Sequence, residues 1–326
     1  MIGIRTPFRM SFIGGGSDMK EFYEVHDGCV LSTSIDKYMY TFIHKYFNKK
    51  IQIKYSQTEI VKTIKEINHP IVRSVLERFK LNGLDINFIA DIPAGTGMGS
   101  SSSFTVGLIH ALYEYTGQKI NPSKLAEFAC DIEINILKEP IGKQDQYAAA
   151  FGGFNVIRFI SNGKVVVERL NLNKDIINQL EQNLVLFYTG KVRSASKILS
   201  DQKNQVSNSK EKIKTLKIMS DLVDETKEKL IEGNLDDFGK ILDFNWNLKK
   251  SLSSKISDDR INQVYETALK NGAFGGKILG AGGGGFFLFY CPLENQSRLK
   301  ASLSKLTELP FSFEYDGSKL IYSDIK

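Results

Sequence analysis

Gly95, Gly97 and Gly99 alternate with Thr96 and Met98, and Ser100-Ser101-Ser102-Ser103 follow without a break. Glycines at every second position let a backbone run close to a ligand, with no Cβ to hold it off. The apolar, helix-like segment from Phe104 to Tyr115 comes next. A helix start presents unpaired N–H groups and the positive end of its dipole, so it receives an anion. The serine hydroxyls add donors for phosphate or ligands for a magnesium ion. From Pro93 to Ser103 the chain therefore reads as a phosphate cradle, and a nucleoside triphosphate is the expected ligand. It is not a Walker loop, because neither Gly-Lys-Ser nor Gly-Lys-Thr occurs in the chain.

A second group of reactive side chains is Gly142-Lys143-Gln144-Asp145-Gln146-Tyr147, shortly after Pro140. Asp145 there is either a catalytic carboxylate or a plain acid in a first helical turn. Glu133 stands twelve residues earlier in a helical run, between Ile132 and Ile134, a setting that can turn a carboxylate inward. Two other glycine clusters are Gly14-Gly15-Gly16 and Gly280-Ala281-Gly282-Gly283-Gly284-Gly285. The latter contains GxGxxG, but the strand-like Phe286-Phe287-Leu288-Phe289-Tyr290 follows where a dinucleotide fold needs a helix. A close approach to another loop or a ligand, or a tight strand entry, is the alternative. Asp237-Phe238-Gly239 lacks the companion motifs of a protein kinase and is read as coincidence.

The elements that must position these groups follow from periodicity. Residues 9–13, 29–35, 38–44, 51–55 and 84–90 pattern as strands, so phosphate loop and helix follow a strand. Residues 69–79 and 123–137 pattern as helices, and 154–159 with 164–170 as a hairpin around Ser161-Asn162-Gly163. Residues 184–189 and 286–290 are further strands. Residues 210–231, 235–248 and 258–270 are helical with polar faces. The expectation is an α+β protein of two lobes, residues 1–170 rich in strand and 171–326 rich in helix.

Composition excludes several classes. The chain has 326 residues, 42% of them hydrophobic and 25% charged, as a globular protein with a sizeable core should. No apolar run reaches membrane-spanning length and no signal segment opens the chain, so no membrane partner is expected. Cys29, Cys130 and Cys291 lie far apart, and the four histidines show no ligand spacing. Neither a disulfide framework nor a cysteine–histidine metal site is indicated, and a cytoplasmic protein with reduced thiols is the expectation. The net charge of +6 suits anionic substrates. Lysines from 197 to 255 are interleaved with acids, which is not the basic stripe of a nucleic-acid binder.

Taken together and in order, these segments resemble the GHMP kinases, the superfamily of galactokinase, homoserine kinase, mevalonate kinase and phosphomevalonate kinase. Thr6-Pro7-Phe8-Arg9 through Gly14-Gly15-Gly16-Ser17-Asp18 looks like the first family motif, residues 93–103 like the ATP-phosphate loop, and residues 277–286 like the third. Within the superfamily the sequence looks most similar to the bacterial D-glycero-D-manno-heptose 7-phosphate kinases. That likeness rests on Gly14–Asp18, on Pro140–Gly153 and on Tyr188–Ser196. Galactokinases carry Glu and His where this chain has Gly15 and Gly16, which puts a free hexose in doubt.

The resemblance implies a two-lobed kinase fold with a ferredoxin-like C-terminal domain, and it implies roles. Asp145 would act as catalytic aspartate with Arg9 as its basic partner. Glu133 and a hydroxyl, Ser101 or its neighbour Ser100, would hold Mg²⁺. Asp18 would accept sugar hydroxyls, with Gly15, Gly16, Ser17 and Gln144 around the sugar. Pro93, Gly95, Gly97, Met98, Gly99, Ser100, Ser101 and Ser102 would hold ATP. Gly282 and Gly283 would pack behind the site. A phosphate on the substrate would be held by Arg193 first, with Lys143, Lys191, Arg5, Ser194 and Ser196 as further candidates. The implied activity is transfer from ATP to the anomeric C1 hydroxyl of the heptose 7-phosphate, towards nucleotide-activated heptose such as GDP-heptose. Another sugar-1-kinase, or a sensor of the same fold without activity, is the alternative. The oligomeric state is left open, a homodimer among the options.

Overall fold

The computed structural model describes residues 1–192, 195–207 and 209–324. Two sheets carry the molecule. In the first, β1 (Ile2–Ile13) and β2 (Gly28–Lys45), separated by helix α1 (Lys20–His26), pair antiparallel along almost their whole length. The sequence pattern places the first strand at residue 9 and splits the second at residues 36–37. One feature explains both differences. Pro7 cannot donate to the ladder, and the register shifts between Pro7 and Phe8. Pro7 faces Tyr38 and Phe8 faces Ile35, leaving Asp36 and Lys37 bulged out of an unbroken strand.

The edge hairpin β3 (Ile51–Lys54) and β4 (Thr58–Val61) comes before helix α2 (Pro70–Phe79). Strand β5 (Leu84–Ala90) then pairs with β2 and β3. Helix α3 (Ser100–Tyr115) lies across β1 and β2 with ten buried residues, because it is apolar nearly all round. Helix α4 (Pro122–Cys130) runs directly into one π-helical turn, Asp131–Ile136. Helix α5 (Gln144–Phe151) precedes the hairpin β6 (Asn155–Phe159) and β7 (Val165–Arg169), which extends the sheet along β2.

After α6 (Lys174–Asn183) comes the second sheet, with β8 (Leu184–Tyr188) in its interior. Helices α7 (Ala195–Ser207), α8 (Lys210–Glu232), α9 (Leu235–Leu252) and α10 (Asp259–Lys270) follow. Strands β9 (Gly275–Ile278) and β10 (Phe286–Tyr290), helix α11 (Gln296–Ser302) and strand β11 (Thr307–Glu308) complete it. Its order is β11-β8-β10-β9, and all its pairs are antiparallel. Counted along the chain that is 4-1-3-2 in a β-α-β-β-α-β succession, the ferredoxin-like arrangement.

The chain then returns to the first sheet. Strand β12 (Phe313–Glu314) pairs with β2, and β13 (Lys319–Ser323) pairs with β1. These strands lie beyond the division read near residue 170, so the last segment of the second half is built into the first. Among the described residues no helix is long and apolar enough to cross a membrane. All three cysteines are buried and free.

Candidate active site

Arg9 sits on β1 two residues past the bulge, on the strand's inner face, and is 3% exposed. Its Nε and Nη2 donate to the two carboxylate oxygens of Asp145, both at 2.7 Å, a bidentate pair. Asp145 belongs to the first turn of α5 and remains partly open to the cavity. Arg9 Nη1 also donates to the Gly97 carbonyl at 2.5 Å, and the Arg9 N–H donates to the Met98 carbonyl. The guanidinium therefore ties the glycine loop to the carboxylate.

Glu133 lies in the π turn and is 1% exposed. Ser101 Oγ donates to it at 3.0 Å, Ser102 Oγ at 2.9 Å and Gln146 Nε2 at 2.6 Å. Burial pushes its carboxyl up to about 6, against the pull of those three hydrogen bonds. The π turn interrupts what the sequence pattern shows as one helix over 123–137. Such turns often occur at functional positions.

Asp18 ends the Gly14–Asp18 turn and is 2% exposed. It accepts from the Gly16 N–H (3.0 Å) and the Gln144 N–H (3.2 Å). Burial raises its pKa first, the nearby Asp145 charge adds to the rise, and the N–H groups oppose it. Between Asp18, Arg9 and the serine loop lies a cavity of about 260 Å³. Its lining includes Gly15, Gly16, Gly95, Gly97, Gly99, Ser100, Ser101, Ser102, Gln144 and Asp145.

Three distant stretches of sequence close this cavity. A Cβ at Gly97 (φ +84) would stand 2.3 Å from the Leu279 carbonyl oxygen, and one at Gly280 2.6 Å from Gly97 Cα. The third glycine cluster is therefore a backbone-to-backbone seat for the phosphate loop. No GxGxxG fingerprint operates here, since strand β10 follows it.

Known proteins share this arrangement. The model of the GHMP kinases N terminal domain matches residues 60–153, and that of the GHMP kinases C terminal domain matches residues 226–308. A D-glycero-alpha-D-manno-heptose 7-phosphate kinase of Campylobacter jejuni is 31% identical over 98% of both chains. A crystal structure of a D-glycero-D-manno-heptose 1-phosphate kinase from Bacteroides thetaiotaomicron superposes with a TM-score of 0.81. That match covers 99% of this chain and 100% of the other, at 25% identity. The Lactococcus lactis galactokinase shares the fold at 16% identity, with a TM-score of 0.76 over 98% and 94% of the chains.

The chain is a GHMP kinase.

It is thus a phosphotransferase of a family that draws its phosphoryl group from ATP. Several expected site residues of this GHMP kinase stand elsewhere than in the cavity. Ser17 is fully buried, and its Oγ lies between the Gly14 and Cys29 carbonyls, so its hydroxyl braces the turn. Lys143 donates to the Gly163 carbonyl at 3.2 Å and lies over the Tyr23 ring. Arg5 pairs with Glu314 and stacks on Tyr38, and Lys191 pairs with Asp258. Met98 is buried, and Pro93 is exposed with its carbonyl accepting from Thr96 Oγ. Ser196, by contrast, does line the cavity, and donates to Glu139. Arg193 and Ser194 lie outside the described residues.

The structure also adds residues that the sequence analysis missed. Ser11, Gln202 and Lys249 all line the cavity and are at most 4% exposed. Lys249 donates to the Gly280 carbonyl. Burial, then the charge of Arg9, pushes its pKa down to about 8, while Asp18 and Asp145 pull the other way. A signal for Lys249 existed. It falls on the buried stripe of α9 with Leu242, Asn245, Trp246 and Leu252, where a lysine is out of place.

Proposed function

We propose that this GHMP kinase phosphorylates the anomeric C1 hydroxyl of D-glycero-D-manno-heptose 7-phosphate with ATP, giving the 1,7-bisphosphate and ADP. The carrying observation is the Arg9–Asp145 pair, set in one cavity with the serine loop and the buried Asp18. The names of the two heptose kinases supply the sugar, and both name an acceptor that already bears a phosphate. They differ in its position, 7 in one and 1 in the other, so the transferred phosphate must be located by experiment.

In this reading Asp145 accepts the proton of the acceptor hydroxyl while that oxygen attacks the γ-phosphorus. The bond from the γ-phosphorus to the bridging oxygen breaks and ADP leaves. Such transfer depends on positioning and charge stabilisation. Arg9 orients Asp145 through two hydrogen bonds, and its fixed positive charge lies where negative charge develops. Asp18 accepts hydroxyls of the sugar. The N–H groups opening α3 and the Gly95–Gly99 backbone hold ATP phosphates.

Glu133 with the hydroxyl of Ser101 suits a magnesium ion. One carboxylate, a hydroxyl, waters and phosphate oxygens make the oxygen set this ion takes. Ser101 already points at Glu133 from the cavity side, so it is the better hydroxyl, with Ser100 next. The ion would neutralise charge on the β- and γ-phosphates. In this reading the reaction takes place in the cytoplasm.

The test is ATP consumption with Mg²⁺ across heptose 7-phosphate, heptose 1-phosphate, mannose 6-phosphate, galactose, fucose and mevalonate, followed by phosphorus NMR. Turnover of the heptose 7-phosphate with a new phosphate on C1 is the expected result. Turnover restricted to an unphosphorylated sugar would sink the acceptor assignment.

A further inference from the structure

One wall of the cavity is not used by the transfer chemistry. Gly14 and Gly16 have φ of 84° and 106°, which favours glycine, but Gly15 has no such angle. A Cβ at Gly15 would stand 3.6 Å from Ser11 Oγ, 3.9 Å from Gln144 Nε2 and 4.0 Å from Lys249 Nζ. These are ordinary contacts, so the fold itself would admit a side chain there. The space is open, and three hydrogen-bond donors converge on it. A fourth, Gln202 Nε2, stands 2.6 Å from where a Cβ of Gly16 would be.

Those donors are unusually idle. Among the described residues, Ser11 Oγ and Gln202 Nε2 are buried without a hydrogen-bond partner; on Gln144 the unpartnered buried atom is the acceptor Oε1, and its Nε2 is the donor that faces Gly15. Leaving such groups unpaired is costly unless a ligand completes them. The cavity's two cations among the described residues are Arg9 and Lys249. Arg9 is committed to Asp145 and Gly97. The one hydrogen bond of Lys249 among the described residues goes to the Gly280 carbonyl, which leaves two ammonium N–H groups to give. A buried cation beside two unsatisfied donors can receive an anion, in a cavity that Asp18 and Asp145 also line.

We propose that Lys249, Ser11, Gln144 and Gln202 form the subsite for the acceptor's own phosphate, in the space above Gly15. The absence of a side chain at Gly15 is then a requirement of the ligand and not of the backbone. This inference rests on the reading of the acceptor as a sugar phosphate.

Calorimetry on the full chain tests it with D-glycero-D-manno-heptose 7-phosphate, the same heptose without phosphate, and ADP as a control for folding. The unaltered protein should bind the phosphorylated sugar at least about tenfold more tightly than the free one. Lys249→Met should weaken the phosphorylated sugar about 30-fold and the free sugar less than about threefold, with ADP unchanged. Lys249→Arg should recover most of the loss. Gly15→Ala should keep Tm and ADP binding and weaken the phosphorylated sugar by about tenfold or more, because its methyl group occupies the subsite. Should Lys249→Met lose ADP binding as well, Gly15→Ala decides. If both variants still discriminate for the phosphate as the unaltered chain does, the subsite is wrong while the acceptor stands. If the unaltered chain binds the two sugars equally, or neither, the acceptor reading falls and the subsite with it.

Discussion

The two walls of the cavity are finished to different degrees. On the donor wall, Arg9, Asp145 and the Gly97 carbonyl form one knot, and Glu133, Ser101, Ser102 and Gln146 form another, in which Gln146 Oε1 is the buried atom left without a partner among the described residues. On the acceptor wall, Ser11, Gln144 and Gln202 each keep a buried polar atom without a partner among the described residues. Groups that must stabilise charge in a transition state work best when already fixed, because they need no reorganisation during the reaction. Groups that recognise a substrate are completed by it. In the proposed reading, the wall with more unpaired atoms decides acceptor specificity, and the more fully paired wall decides the rate.

The largest test of that division is Asp145→Asn. The amide cannot accept the proton as a carboxylate does, and turnover should fall about 10³-fold. ADP binding by calorimetry should change less than about twofold. Unchanged turnover would take Asp145 out of the chemistry and merge the two walls.

Arg9→Lys should come next, with a loss of about 10²-fold in kcat and little change in the acceptor KM. An ammonium cannot bridge both oxygens of Asp145 and the Gly97 carbonyl as the guanidinium does. A raised acceptor KM with normal kcat would move Arg9 to the recognising wall.

A smaller effect is expected from pH through Glu133. Its folded pKa of about 6 lies above its usual value of 4.5. Between those values the folded chain without metal holds more protons than the unfolded chain, so this residue's contribution to stability falls as pH rises through that window. In the proposed site magnesium would compete with the same proton, so apparent Mg²⁺ affinity should weaken roughly tenfold per unit below pH 6. Glu133→Gln should remove that pH dependence along with most of the affinity. Magnesium titrations from pH 5 to 8 in both proteins would reveal it, and an identical slope in the variant would clear Glu133 of the role.

The smallest contrast is in stability. Ser102→Ala removes a buried bond to Glu133 and should cost about 1 kcal/mol. Ser11→Ala removes a hydroxyl that has no partner among the described residues, and its cost should stay within about 0.5 kcal/mol. Equal losses in denaturant titrations of the two variants would mean that the walls are equally finished without ligand.

The paired wall was also the more legible one. Alternating glycines, a serine run and an apolar helix are local features, and the strand before them occupies residues 84–90 as the pattern predicts. Glu133 was legible through its apolar neighbours, though the π turn that aims it was not. On the other wall, Lys249 is one lysine among many in a polar helical region, and only its place on the stripe of Trp246 and Leu252 marks it. Gln202 carries no signal of its own, since glutamine on an exposed-looking helix is ordinary. The local partners of Ser17 and Lys143 were not legible, because polar residues near a motif look alike until their hydrogen bonds are known. The bulge at Pro7 was readable as a break but not as a continued strand, because the shift depends on how β2 pairs across from it.

What the sequence alone determined is the local chemistry: backbone that can cradle phosphate, a basic and an acidic residue of suitable types, and helices and strands with clear period. These depend on steric freedom and propensity within a few residues. Only the tertiary structure decided which groups meet. It set Arg9 against Asp145 across 136 residues, seated Gly280 on Gly97, returned β13 to β1, and turned Lys249 towards Gly15. Those contacts follow from packing two sheets and their helices around shared cores, which no local pattern encodes.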